Sequence, residues 1–296
     1  MPIRWKQGVS NMGWVESLQQ AIDYMEANIT ESISMEDIAR EANSSVFHFQ
    51  RTFSILTDMS VGEYLRGRRL TLAAHELAST DHKIIDIASK YGYDTPEAFT
   101  KAFRRQHGVT PSDARKHVGK LKSYNRLGIQ VNLKGASPMK YRIVERESFQ
   151  AVGIKEEFSL VDGENMQGIP KMWERANADG TSDLLAGLNN GEIKGLLGIC
   201  DGNADGQKMD YWIGAESTEK APANLTALEI PAAKWAVFEV HGAMPEAMPI
   251  VWKQIFSEWF PSNQYEHAPS PELEVYPAGD AYRDDYYSEI WIPLKK

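Results

Sequence analysis

A single cysteine, Cys200, stands in 296 residues. That excludes an intramolecular disulfide and any metal site built on several thiolates, and it fits a reducing, intracellular setting. No apolar run approaches the ~20 residues that a bilayer crossing needs, so no membrane partner is expected. The opening Met1-Pro2-Ile3-Arg4-Trp5-Lys6 carries charge but no apolar stretch behind it. No secretion signal is therefore expected, and the location that follows is the cytoplasm. Gly-rich phosphate-binding motifs and His/Cys/Asp/Glu clusters at metal-ligand spacing are also missing, so no cofactor and no metal are expected.

Positive charge is scarce in one half only. Residues 127–296 hold 15 Lys and Arg against 26 Asp and Glu, whereas residues 1–126 hold 17 against 15, for a total of −9. An acidic second half repels phosphate, so any nucleic-acid contact belongs to the first. There the basic residues gather at Arg66-Gly67-Arg68-Arg69 and Lys101-Ala102-Phe103-Arg104-Arg105.

What is present is an ordinary globular composition, 42% hydrophobic and 25% charged, in a chain long enough for two domains. From Trp14 to His117 the apolar spacing is that of amphipathic helices: Leu18, Ala21, Ile22, Met25 and Ile29 in the first, then Ile38, Ala39 and Ala42 behind Ser34 with Asp37 three residues on. A helix with Phe47, Phe49 and Phe53 follows, then a longer one from Glu63 to Leu77. The pattern recurs through Ile84, Ile87, Ala88 and Tyr91, stops at Gly92, and restarts at Thr95-Pro96 and Thr110-Pro111. Residues 119–137 read as a linker. Beyond it strands are expected at Phe149–Ile154, Lys194–Ile199, Met209–Glu216, Leu225–Ile230, Trp235–Val240, Glu272–Tyr276 and Tyr286–Pro293, with helices near Ile169–Ala178 and Pro245–Phe260. The order is strand, helix, strand, strand, twice over, and Asp210-Tyr211-Trp212-Ile213-Gly214 has a counterpart in Glu289-Ile290-Trp291-Ile292-Pro293, which suggests a duplicated unit. The expected fold is an all-α domain with two helix-turn-helix units (1–118), the linker (119–137), and an α+β domain of two strand-helix-strand-strand units (138–296).

Two helix-turn-helix units about fifty residues apart, joined by one long helix, are far more specific than one. The stretch from Met35-Glu36-Asp37-Ile38-Ala39 through Tyr91-Gly92-Tyr93, Phe99, Phe103-Arg104-Arg105, Gly108-Val109-Thr110-Pro111 and Arg115 resembles the DNA-binding domain of the AraC/XylS family of transcription regulators. The first unit, Ser45 to Phe53, is closest to the Rob-like members of that family. The resemblance implies that Val46, Phe47, Gln50 and Arg51 face the major groove, Gln suiting adenine and Arg guanine. Phe47 would meet a thymine methyl or complete the core, and His48 packs or caps. The second recognition helix offers Thr95, Glu97, Thr100 and Lys101. Glu97 can accept from cytosine but repels phosphate, so this helix reads less sequence and acts through Thr100 and Lys101 on the backbone. Arg104 and Arg105 are candidate phosphate contacts, and Arg66, Arg68 and Arg69 are divided between phosphate contact and bracing.

Met139-Lys140-Tyr141, Tyr211-Trp212-Ile213-Gly214 and Glu289-Ile290-Trp291-Ile292-Pro293-Leu294 resemble the GyrI-like effector-binding domain, which implies two repeats enclosing a cleft for small molecules. Composition fits a pocket independently: six of eight Trp lie beyond residue 127. Aromatic walls with a carboxylate suit an organic cation. Glu289, Trp291, Tyr287, Tyr286, Tyr276, Trp212 and Trp252 are the candidate effector residues, Glu289 first because an inward carboxylate is costly without a partner. Trp173, Trp235 and Trp259 are expected in the core. Competing readings are hydrolysis of small electrophiles, for which Glu239, His241 and Cys200 are present, and a module that sequesters a protein. The expected partners are double-stranded promoter DNA, a small-molecule effector and RNA polymerase.

Overall fold

The computed structural model describes residues 14–129, 138–161, 163–202 and 206–295. The residues weighed for a secretion signal and the end of the expected linker, 130–137, lie outside the described residues. Within them the chain forms two compact units, one of residues 14–44 and 68–129, the other of 45–67 and 138–295. This division departs from the limits expected at 118 and 138. Residues 45–67, which include the helix expected to be the first recognition helix, belong with the strands, for a reason of packing given below.

The first unit is helical: α1 (Trp14–Ala27), α2 (Met35–Glu41), the second part of α4 (Val61–Ser79), α5 (Ile84–Lys90), α6 (Pro96–His107) and α7 (Pro111–Arg115). The caps are the ones the side chains favour: Ser34, Thr95 and Thr110 each accept from the backbone N–H three residues on, and Thr110 with Asp113 closes a capping box. Gly92 takes a φ of +82° at the turn between α5 and α6, a conformation that costs a side-chain-bearing residue more. Leu70, Ala73, Ala74, Leu77, Ile87, Ala88, Tyr91, Phe99, Phe103 and Ala114 form the core. Residues 119–129 have no regular structure, but Arg126 pairs with Asp23 and the Ile129 amide donates to Gln19, so this part of the linker is tied to α1.

The second unit contains α3 (Val46–Thr57) and a strand domain: β1 (Tyr141–Arg146), β2 (Phe149–Ser159), α8 (Glu164–Ala178), α9 (Thr181–Leu188), β3 (Leu196–Gly202), β4 (Lys208–Glu216), β5 (Thr226–Ile230), β6 (Ala233–His241), α10 (Ala247–Gln254, continued by a wider turn at Ile255–Trp259 and by Phe260–Ser262), β7 (Glu272–Tyr276) and β8 (Tyr287–Leu294). The strands form one antiparallel sheet, in the order β1-β6-β8-β7-β3-β4-β2-β5. Read from either end, this order gives the same arrangement: an outer strand, the first, third and second strands of one repeat, and a central seam between β3 and β7. The duplicated unit is thus visible in the topology. Strand β1 and helix α9 were not foreseen, because Tyr141–Arg146 alternates charge with apolar residues only weakly, and α9 is short and follows α8 across Gly180.

Strand alternation sends residues to two sides. One side carries Leu197, Ile199, Trp212, Trp235, Val237, Leu273, Val275 and Trp291. The other carries Cys200, Met209, Tyr211, Ile213 and Ala215 and is covered by Met172 and Ala176 of α8 and Leu185 of α9.

Candidate functional site

On the helix-covered side, period-two alternation places Glu272, Glu274 and Tyr276 of β7 in one row. Glu274 lies opposite Gly198 of β3, whose missing side chain leaves room for the Tyr211 hydroxyl. Three donors meet the Glu274 carboxylate: Trp252 Nε1 at 2.7 Å, Tyr276 Oη at 2.9 Å and Tyr211 Oη at 3.2 Å. Trp173 of α8 donates its Nε1 to Tyr211 Oη at 2.8 Å and packs edge-on against Tyr276. Burial, and then the charge of Glu274, push both tyrosine hydroxyls well above their ordinary range, so they stay protonated donors. Among the described residues no cation forms an ion pair with Glu274. Three rings, from one helix and two strands, thus anchor one carboxylate through neutral donors, and Trp173 backs the two tyrosines.

Glu289 has a different setting. Arg142 of β1 donates to it through two nitrogens, at 2.9 and 3.1 Å, Trp291 Nε1 donates at 2.7 Å, and the Tyr287 hydroxyl donates as well. Burial pushes this carboxyl upward, but the bonds from Arg142, Tyr287 and Trp291 outweigh it and hold it below the usual range. Glu289 borders a cavity of about 460 Å³ with Arg142, Arg146, Val275, Tyr287 and Trp291. The expected wall of Tyr287 and Trp291 is there, yet the premise that Glu289 seeks a cationic partner is corrected, because Arg142 supplies one.

The remaining effector candidates divide. Tyr276 and Trp252 join the Glu274 group. Trp212 is buried on the other side of the sheet, with Lys155 over its ring. Tyr286 is buried and donates to the Pro277 carbonyl. Trp173 packs against the core under α8, as expected, and meets the group through Tyr211 and Tyr276, and Trp235 and Trp259 are buried. Glu274 itself was missed; the signal was its position two residues before Tyr276 on the same face of a strand. Cys200 is buried and burial pushes its thiol upward, while Glu239 pairs with His241 and Lys140 near the surface. Neither arrangement provides an activated nucleophile.

Helices α3 and α6, expected to be the two recognition helices, differ as sharply. On α6, Glu97, Lys101, Arg104 and Arg105 are exposed, Thr100 is half-buried, and the exposed Thr95 caps the helix. Arg68 forks onto Glu26 and Arg69 donates to the Ile29 and Glu31 carbonyls, so both brace the helices. On α3, Arg51 is 7% exposed and donates to Glu272, which is fully buried, with the guanidinium 4.7 Å from the centre of the Trp252 ring. Gln50, 2% exposed, donates to the Gly206 carbonyl at 2.6 Å. Phe47 packs on Gly202 and Val46 on Gly206, each so closely that a Cβ at the glycine would collide. His48 stacks on His267 at 4.1 Å, and Lys253 of α10 pairs with Asp58 at the end of α3. In this arrangement Val46, Phe47, Gln50 and Arg51 are turned into the strand domain rather than presented to a groove. That is why α3 groups with the strands.

The sequence from 142 to 294, just over half of the chain, matches the model of the integron-associated effector binding proteins. The chain belongs to that family. Residues 38–117 match a helix-turn-helix domain model, and this part is an AraC-type DNA-binding domain joined to the effector-binding family's domain. The chain is 39% identical over 112 residues to the uncharacterized HTH-type transcriptional regulator YbfP of Bacillus subtilis, covering 38% of each chain. It is 38% identical over 98 residues to the regulatory protein SoxS of Escherichia coli K12, covering 33% of this chain and 92% of SoxS. Thus it spans well under half of YbfP but nearly all of SoxS. Of the solved structures, that of SAV2435 bound to tetraphenylphosphonium is similar at 30% identity with a TM-score of 0.50, covering 53% of this chain and 94% of that one. Among the described residues no helix is long and apolar enough to cross a membrane.

Proposed function

We infer that the protein is a cytoplasmic transcription regulator that binds promoter DNA through its helix-turn-helix half and a lipophilic organic cation through the Glu274 cage, and that the outcome is read by RNA polymerase. The observation that carries the ligand class is Glu274: a carboxylate bonded by Tyr211, Tyr276 and Trp252, with Trp173 behind the two tyrosines, held by neutral donors and without an ion-pair partner among the described residues. A diffuse organic cation can face the rings and neutralise the carboxylate together, whereas a strongly hydrated ion would lose more hydration than the rings return. The similar SAV2435 holds a tetraphenylphosphonium, a cation of this kind. Glu289, already matched by Arg142, ties β1 to β8 in this reading. The DNA assignment rests on the exposed face of α6 and on the membership of the first half in a family that includes named regulators.

The test is calorimetric titration with tetraphenylphosphonium and with neutral triphenylphosphine oxide. Glu274→Gln keeps the shape and removes the charge, and it should weaken the cation by about 1–3 kcal/mol while leaving the neutral compound nearly unaffected. Equal losses for both compounds would refute Glu274 as the cation's partner.

A further inference from the structure

Arg51 and the proposed effector ask for the same partners. The guanidinium lies over Trp252, the ring that also donates to Glu274, and its ion-pair partner Glu272 is two residues from Glu274 on the same face of β7. An arginine held over an indole against a carboxylate is itself a delocalised organic cation in an aromatic site. It arrives on α3, whose Gln50, Phe47 and His48 touch the Gly206 carbonyl, Gly202 and His267 around it. The nearby trio of His48, His267 and Glu272 does not read as a metal site, although their ligand atoms lie within 4.8 Å of one another. The two imidazoles stack with an interplanar angle of 17°, so their lone pairs lie in nearly parallel planes, which disfavours one ion in the plane of both, and the Glu272 oxygens are already engaged by Arg51 and His267.

We propose that Arg51 is a tethered occupant of the cation site, so that docking of α3 on the strand domain and binding of an effector cation exclude each other. The proposal rests on the Glu274 reading above and adds its regulation. With α3 docked, Gln50 and Arg51 are spent on Gly206 and Glu272. A cation that takes the face of Trp252 and the field of the two carboxylates displaces the guanidinium, α3 loses its charged anchor, and the two side chains become available to base edges. Linkage makes the relation reciprocal: a duplex that engages α3 frees the site, and so raises affinity for the cation by the factor with which the cation raises affinity for the duplex.

The experiment uses the full chain and tetraphenylphosphonium, with affinity read by calorimetry and the docking of α3 by amide hydrogen exchange of Val46–Thr57. Removing an internal competitor tightens binding, so Arg51→Ala should bind the cation about tenfold more tightly than wild type, within the range of ~5–150-fold that couplings span. Arg51→Lys, which keeps a cation on the tether, should stay near wild type. Adding the cation to wild type should speed exchange of Val46–Thr57. Gln50→Ala loosens α3 without leaving a charge unpaired and should tighten binding in the same direction, which keeps the test open where Arg51→Ala folds poorly. Unchanged or weaker binding by folded Arg51→Ala and Gln50→Ala, with α3 exchange indifferent to the cation, overturns the tethered-occupant proposal and leaves the Glu274 site standing. Absence of binding by wild type and variants alike overturns the Glu274 reading, and this proposal with it.

Discussion

Helices α3 and α6 are each twelve residues long, and each follows a capping hydroxyl, Ser45 or Thr95, that accepts from the amide three residues on. Their inner faces also match: Phe49 and Phe53 on one, Phe99 and Phe103 on the other, all buried. Counted from the first helical residue, Arg51 and Lys101 hold the same place, as do Gln50 and Thr100. Yet Arg51 and Gln50 are buried while Lys101 is exposed and Thr100 half-buried. The difference lies in the partner. The outer face of α3 meets Glu272, Trp252, Gly202 and Gly206, whereas the outer face of α6 is solvated. A helix with the pattern of a DNA reader can thus have its outer face covered by its own chain.

That contrast can be broken most directly through stability. Removing Arg51 strands the fully buried Glu272, and losing one partner of such a pair costs about 3–5 kcal/mol, although His267, at 3.0 Å from Glu272, lowers the cost toward the bottom of that range. Lys101→Ala, at the same place on α6, should change stability by less than about 0.5 kcal/mol. Denaturant titration of the two variants checks the asymmetry, and equal small effects would place Arg51 in solvent.

A smaller effect is expected from pH. Burial, and then the facing His267 ring, lower His48 from an ordinary 6.5 to about 3, so it is neutral in the docked helix. His267, Glu272, Arg51 and Lys295 are the charged or titratable groups around it, and Glu272, held low by Arg51 and His267 despite burial, stays ionised throughout. For a base with a depressed docked-state value, the stabilisation is complete above 6.5 and is lost as pH falls from 6.5 toward 3. Docking of α3 should therefore weaken by about 1.4 kcal/mol between pH 7.5 and 5.5, while α6, whose single imidazole, His107, lies on the buried inner face and is lowered less by burial, should weaken less. Exchange rates of the two helices at both pH values check this.

The gentlest separation comes from salt. Lys101→Ala and Arg104→Ala should each lower the slope of log affinity against log salt by about one, equally for every duplex sequence. A loss confined to one sequence would make these residues base readers. On the ligand side, Glu289→Gln should leave tetraphenylphosphonium affinity within about twofold, since Arg142 already satisfies that carboxylate.

Much of this was legible beforehand. The helix starts at Ser34, Thr95 and Thr110, the turn at Gly92 and the paired strand-helix-strand-strand order all follow from local chemistry and periodicity, and the structure has them. Of the Glu274 group, Tyr276 and Trp252 are among the residues the sequence singles out, whereas the carboxylate it points to is Glu289, between Tyr287 and Trp291. Glu274 and Glu289 both lie inside apolar strands. What separates them is their surroundings: Arg142 reaches Glu289 from β1, one strand beyond β6, whereas β3 places Gly198 opposite Glu274. Strand β1 was itself unforeseen, so the partner that neutralises Glu289 was invisible. The docking of α3 was less legible still, because the Arg51–Glu272 pair joins residues 221 apart and neither carries a local signal for the other.

The central claim is that the outer face of α3 is occupied while that of α6 is solvated, and thiol reactivity tests it directly. The lone Cys200 is buried, so the background is low. Gln50→Cys and Lys101→Cys, each in the full chain, are labelled with a small maleimide with and without tetraphenylphosphonium. The cysteine at 101 should react quickly in both conditions. The cysteine at 50 should react at least tenfold more slowly without the cation and approach the rate at 101 with it. Equal rates at the two positions in the absence of the cation would contradict the account.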